Sequence, residues 1–382
     1  MTKLLIQGPI VHSDTGTRPG NITLENGKIT ALHTAPGPAR QVLNFPASYH
    51  VIPGMIDLHI HGAAGADVMD ATPEALCTIS RALAKEGTTG FLATTMTEAP
   101  QKIRAALANV MQAGAMPGAA VLGVHLEGPF LAEKRMGAQC SAHICAPDIA
   151  LFQAWQSLCG DQIRLVTVAP ETKNALPFIE YLSRHNVVVS LGHSDASFAE
   201  AQAGVTAGGR YATHLFNAMR AIHHREPGIA VALLLDERVT AELVLDGHHL
   251  HPAMVELAWK IKGGHRLVLV TDAMRAKCLG EGSFDLGGQQ VLVKNGLATL
   301  ANGTIAGSVL KLNQALKHFM TATGLSLDEA LPLVSANPAK LLGRYAHKGS
   351  LAPGKDADLV VLNERYDVVA TVCEGRIVYS ED

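Results

Sequence analysis

The segment IDLHIHG, Ile56–Gly62, closes an apolar run that begins at Val51 and finishes in two histidines one residue apart. In an extended strand successive side chains point to opposite faces, so His59 and His61 share one face and Ile60 takes the other. A near-continuous apolar run is the mark of a strand covered on both faces, as in a parallel sheet. Two imidazoles on one face at a strand end could share a metal ion. They could equally be two hydrogen-bonded histidines at a sheet margin, and the pair alone does not decide.

Outward from this strand the chain alternates. Thr72 reads as an N-cap with Pro73 at the first helical position, Leu76, Ile79 and Leu83 on one face and Gly87 as the stop. Then come TGFLATT, a helix around Lys102–Gln112, AVLGVHLEGP, a helix over Ile149–Leu158, and IRLVTVAPE. A helix over Ala175–Arg184 leads to VVVSLGHS, one near Phe198–Val205 to RYATHLFNAM, and one near Ile229–Leu235 to AELVLDGHH. The helix Pro252–Lys262, the strand RLVLVTDA and a last helix complete eight βα units. That alternation predicts an α/β protein built on a closed (β/α)8 TIM barrel, with an open doubly wound sheet as the alternative.

Both ends of the chain break the alternation. LLIQGPIV and NITLENGKITAL near the start, and the strands expected at Leu359–Leu362, Val368–Val372 and Arg376–Tyr379, are short β runs with turn residues between them. Neither end is long enough for a core, so residues 1–50 and 350–382 are expected to form one small β-sandwich domain around a barrel of residues 51–349. A further stretch, FDLGGQQVLVKNGLATLANGTIAG, reads as hairpins with an NG turn, a β insertion near 283–305.

Thirty-one basic against 34 acidic residues leave a formal charge of −3, which argues against a nucleic-acid or membrane-surface partner. The cysteines at 77, 140, 145, 159, 278 and 373 form no CxxC pair, which speaks against a disulfide framework or a cysteine zinc site. The start, MTKLLIQGPIVHSD, has too short an apolar core for a signal peptide, and no segment is long enough to span a bilayer, so a cytoplasmic protein with reduced thiols is expected.

The strand ends carry the chemistry. The first ends in His59 and His61, the third in Glu127, the fifth in His193, the sixth in His214 and Asn217. The seventh ends in Asp246, His248 and His249, and the eighth in Asp272. In a barrel all these ends meet at one rim, where active sites form. Imidazole and carboxylate suit zinc or iron, and a divalent cation lowers the pKa of its water from 15.7 to roughly 7. Asp272 is the candidate to carry the proton. The loop HHREPG places Arg225 near the sixth strand, and arginine recognises phosphate or carboxylate bidentately.

The motifs HIHG, HLEGPF, LGHSDAS, THLFNAM, HHREPG, DGHH and VTDAM, in this order, closely resemble the N-acetylglucosamine-6-phosphate deacetylase family of the amidohydrolase superfamily, over nearly the whole chain and including GSLAPGKDADLVVL in the tail. The resemblance implies Glu127, His193 and His214 as the main metal ligands and Asp272 as the catalytic acid/base. It implies Ala138, which follows the loop Lys134–Gly137, Asn217, Ala218, Arg225, Asp246, Gly247, His248, His249, Ile305, Ala306 and Gly307 as the substrate site. Arg225 and His249 would contact a phosphate, and a neighbouring subunit often contributes that arginine, which implies a homodimer with a shared active site, or a tetramer. Some relatives replace the HxH pair and hold one metal; with both histidines present, His59 and His61 are expected to hold a second ion bridged by Glu127. The implied cofactor is one or two divalent ions, zinc first, with iron, cobalt, manganese or nickel as alternatives.

Gln139 stands where some members carry a histidine that helps to polarise the substrate carbonyl. Binuclear cousins with a carbamylated lysine on the fourth strand do not match, since this strand closes in TVAPE with Glu171. The implied reaction is metal-dependent deacetylation of N-acetyl-D-glucosamine 6-phosphate in amino-sugar catabolism. The alternatives are the same chemistry on the galacto epimer, and a non-catalytic sugar-phosphate-binding homologue.

Overall fold

The structure is a computed structural model that describes residues 3–33 and 39–381. Eight parallel strands lie side by side in chain order: β1 (Met55–Ile60), β2 (Thr88–Thr95), β3 (Ala120–Glu127), β4 (Ile163–Val168), β5 (Val188–Leu191), β6 (Tyr211–Ala212), β7 (Thr240–Val244) and β8 (Leu267–Val270). Eight helices follow them: α1 (Pro73–Ala84), α2 (Pro100–Gln112), α3 (Ile149–Leu158), α4 (Ala175–Arg184), α5 (Phe198–Ala207), α6 (Gly228–Leu235), α7 (Pro252–Lys262) and α8 (Leu312–Thr323). The start of α1 is as the sequence predicts, with the Thr72 hydroxyl accepting from Ala75 N at 3.2 Å and Pro73 in the first turn.

The barrel closes between β1 and β8 without a regular ladder. Ile60 bridges Ala273, Asp272 N donates to the carbonyl of His59 at 2.8 Å, and His61 N donates to that of Ala273 at 2.9 Å. Below them the Asp57 carboxylate accepts from the Thr271 hydroxyl at 2.6 Å and from the backbone N–H groups of His59 and Thr271 at 3.2 and 3.3 Å. Buried backbone donors need acceptors, and here a side chain supplies what the missing ladder does not.

β6 is much shorter than its apolar run RYATHLFNAM. After Ala212 the backbone turns left-handed at His214, Phe216 and Ala218 (φ 27°, 77° and 49°). The cause lies on β7, where Glu242 takes His214 N with a side-chain oxygen and Leu215 N with its carbonyl.

The two ends of the chain share a second sheet. His50–Pro53 pairs with Lys3–Ser13 on one side and with Leu359–Leu362 on the other. Gln41–Asn44 also pairs with Lys3–Ser13, and the sheet encloses its own core of Ile6, Ile22, Leu24, Val361 and Val372. The stretch after β8 forms three antiparallel strands, Gly282–Leu286, Gln289–Lys294 and Leu297–Leu300. Its Asn295-Gly296 turn has φ of 51° and 77°, the pair of positive values that a two-residue hairpin demands. This unit rests on Met96 and Met274 and so walls one side of the rim.

All six cysteines are free, and among the described residues no helix is long and apolar enough to cross a membrane.

Candidate metal centre

Glu127, His193, His214, His59, His61 and Asp272 meet at the C-terminal rim, all six buried. They fall into two groups. In the first, Glu127 Oε1, His193 Nε2 and His214 Nε2 form a triangle with sides of 3.1, 3.1 and 3.3 Å. In the second, His59 Nε2, His61 Nε2 and Asp272 Oδ1 form a triangle with sides of 3.3, 3.3 and 3.3 Å. Glu127 joins them, with Oε1 at 3.3 Å from His59 Nε2 and Oε2 at 3.2 Å from His61 Nε2.

These contacts are the ones expected around cations. His193 Nδ1 donates to the carbonyl of Arg135 at 2.9 Å, His214 Nδ1 to that of Asn217 at 3.1 Å, and His59 Nδ1 to Glu242 Oε1 at 2.7 Å. With Nδ1 protonated, each neutral imidazole presents an Nε2 lone pair. In the metal-free protein protons can balance Glu127 and Asp272 here, since despite burial those carboxylates hold His59 and His61 above the usual imidazole range, and a cation would take their place. Tetrahedral ligands about 2.0–2.2 Å from an ion stand roughly 3.3–3.6 Å apart, so the second triangle has the dimensions of one tetrahedral face and the first is slightly tighter. His61 Nδ1 is the exception, buried without a partner among the described residues. The donor set therefore fits one ion per group, with Glu127 reaching both.

Three of the six sit in left-handed backbone: His193, His214 and Asp272, with φ of 48°, 27° and 48°. Such strain, about 1–3 kcal/mol each, persists only where the surroundings impose it, and it gathers at functional sites. Each of these residues lies two positions beyond its strand, at the rim.

The cavity above has a volume of about 320 Å³. Ala138, Asn217, Ala218, His249, Ile305 and Gly307 line it, as the sequence resemblance implies. Asp246 does not line it but fixes His249, accepting from its Nδ1 at 2.8 Å and its backbone N–H at 2.9 Å. Ala306 is buried behind the wall, while Gly247 and His248 are exposed beyond it. Arg225 is also exposed, stands outside the cavity of its own chain, and bonds His224 Nε2 at 2.8 Å. Glu171 serves the scaffold, accepting from the Ser194 hydroxyl at 2.7 Å and Asp195 N at 2.6 Å.

Several residues of the site escape a reading of strand ends. Gln139 is pinned by Thr97 N, which donates to Oε1 at 2.7 Å, and its Nε2 donates to Glu127 Oε2 at 2.8 Å. The amide thus orients the carboxylate that reaches both groups. Lys134 and Arg135 line the mouth and share Asp195, at 2.5 and 2.7 Å, and the hydrogen bond from Lys134, then that from Arg135 with its charge, hold the carboxyl down at about 2 against burial. His125, one layer below Glu127, packs edge-on against His59 with ring centroids 4.6 Å apart. Burial, and then the neighbouring His59, hold it well below the usual imidazole range, so it stays neutral and bonds Thr167 at 2.8 Å.

Residues 50–378 match the amidohydrolase family. The chain is an amidohydrolase. It is 41% identical over 377 residues to an N-acetylglucosamine-6-phosphate deacetylase of Bacillus subtilis (strain 168), covering 97% of this chain and 95% of that one. It is 38% identical over 327 residues to an N-acetylgalactosamine-6-phosphate deacetylase of Escherichia coli O157:H7, covering 85% and 86%. A solved structure of a mutant N-acetyl-D-glucosamine-6-phosphate deacetylase from Mycobacterium smegmatis, in complex with N-acetyl-D-glucosamine-6-phosphate, superposes on this amidohydrolase with a TM-score of 0.92 at 33% identity over the whole of both chains. The carboxylate-imidazole rim of this amidohydrolase thus lies in a scaffold shared with proteins named for a phosphosugar substrate.

Proposed function

We propose that the protein is a metal-dependent deacetylase of N-acetyl-D-glucosamine 6-phosphate, releasing D-glucosamine 6-phosphate and acetate in amino-sugar catabolism. The observation that carries this reading is the pair of ligand triangles joined by Glu127 beneath an open cavity, in a chain 41% identical to a protein of that name. When bound, a divalent cation, zinc first among the candidates, supplies an activated water and a positive charge for the oxygen of the reacting carbonyl.

The protein's own groups do the rest. Glu127, His193 and His214 would hold one ion, and His59 and His61 would hold a second. Asp272, at the cavity floor, takes the proton of the attacking water and returns it to the departing amine nitrogen. Gln139 keeps Glu127 in its bridging orientation. Asn217, Ala218 and the segment Ile305–Gly307 border the sugar. His249, fixed by Asp246, meets the phosphate from this chain.

The second phosphate contact comes from another copy. Arg225 is exposed and absent from its own cavity, so the reading includes a homodimer in the cytoplasm with Arg225 entering the partner's site. Mixing R225A subunits with D272N subunits tests this. Each mixed dimer has one site with an intact Asp272 and an arginine from the other chain, so a 1:1 mixture is expected to recover about a quarter of wild-type turnover, although both parents are nearly inactive. No recovery would place Arg225 in its own subunit's site or outside the chemistry.

The galacto epimer remains the competing substrate, because the E. coli relative of that name is 38% identical. Side-by-side kcat/KM on the two phosphosugars is expected to favour the gluco epimer by about tenfold or more, as one lost or misplaced hydrogen bond to the C4 hydroxyl would produce. The reverse ratio would reassign the substrate and leave the chemistry standing.

A further inference from the structure

Glu242 lies in the middle of β7, in the otherwise uncharged run AELVL, and is fully buried. We infer that Glu242 is a positioning residue that presets the His59–His61–Asp272 group and ties it to the His193–His214 group; this rests on reading those residues as ion ligands. One oxygen, Oε1, accepts from His59 Nδ1 at 2.7 Å and from His214 N at 2.7 Å. The backbone carbonyl of the same residue accepts from Leu215 N at 3.0 Å. A ligand side chain of one group and the backbone of a ligand of the other therefore hang on a single residue.

Its surroundings point to the imidazole, with the Tyr211 hydroxyl as a further polar group beside the carboxylate. Among the described residues Glu242 has no lysine or arginine partner, and its ion-pair contact is His59. A fully buried carboxylate without a cation is costly, so a purely structural position would be filled better by a neutral acceptor. A carboxylate on Nδ1 enforces the tautomer that leaves the Nε2 lone pair facing Glu127 and Asp272, and makes that nitrogen a stronger donor. The capture of His214 N holds a histidine at φ 27°, a conformation an unsupported histidine would leave.

The test is metal binding by the chelator-stripped whole protein, titrated with Zn²⁺ and read as ions retained per subunit and as Kd for each. E242Q keeps the size and an acceptor oxygen but loses the charge. It is expected to weaken the second ion by about 10- to 100-fold, the usual effect of a lost partner behind a ligating histidine, and to weaken the first less. The metal-free melting temperature is expected to stay at the wild-type value. H59Q serves as the control and should lose the second ion.

If H59Q binds both ions like wild type, the ligand reading itself falls. If H59Q loses an ion while E242Q binds like wild type, the positioning role alone is overturned. Equal weakening of both ions together with a lower metal-free melting temperature would also overturn it, by showing a scaffold role. Should E242Q not fold, E242D, which keeps the carboxylate but draws it back by one methylene, is expected to shift the second Kd in the same direction.

Discussion

Asp272→Asn is expected to lower kcat by about 10²–10⁴, the contribution of a positioned proton carrier, with KM changed far less. Asp272 occupies left-handed backbone at φ 48°, which asparagine tolerates as well as aspartate, and its amide fills the same volume. Its Oδ1 lies 3.3 Å from both His59 Nε2 and His61 Nε2, so removal of the charge also tests whether the carboxylate holds an ion. Metal analysis of the variant separates the two roles. A variant that keeps its ions and loses turnover has lost a proton carrier, whereas one that loses an ion with turnover was a ligand first. Near-wild-type turnover would remove Asp272 from the mechanism altogether.

Glu127→Ala is expected to disable both groups together. Its two oxygens contact four imidazoles, so the substitution takes a ligand from both groups at once. Turnover should fall by about 10³-fold or more, since several kcal/mol of charge stabilisation leave with the ion. Added zinc, which should raise the melting temperature of the stripped wild-type protein by mass action, should leave that of E127A where it was. A pH dependence follows in the wild type. Burial depresses the His61 imidazole, but hydrogen bonds and charge from Asp272 and Glu127 outweigh it and lift the group to about 9 in the metal-free protein. An ion must therefore displace a proton from it, and zinc affinity is expected to rise with pH until about pH 9. An affinity that is flat between pH 6 and pH 9 would contradict this, and E127A protein that retains two ions through dialysis would contradict the role given to Glu127.

The barrel and the gathering of polar residues at its rim were legible because both rest on periodic signals. Apolar runs such as VVVSL and RLVLV imply strands covered on two faces, and polar residues one or two positions past their ends fall at the rim whatever the intervening helices do. The residues that brace the rim carry no such signal. Glu242 and Asp57 lie inside strands, where a carboxylate in an apolar run gives no hint of which distant backbone N–H it will meet. His125 sits two positions before Glu127 and shares its face, yet only the structure shows it one layer lower, bonded to Thr167. Gln139 could be placed beside the site from the resemblance, but its grip on Glu127 depends on Thr97 N, 42 positions away in sequence. The shortness of β6 was hidden for the same reason, because Tyr211–Met219 is apolar enough for a strand and a side chain from β7 ends it.

The second sheet constrains how this chain can be made. His50–Pro53 hydrogen-bonds to Leu359–Leu362, so a strand emerging early from the ribosome waits for one translated some 300 residues later. During that interval Val51, Leu4 and Ile6 have no partner from the tail to cover them, and their exposed edge invites other nascent chains. Termination short of Leu359 would leave a barrel whose strands are all present beside half a sheet with its core uncovered, a species marked out for chaperones and proteases.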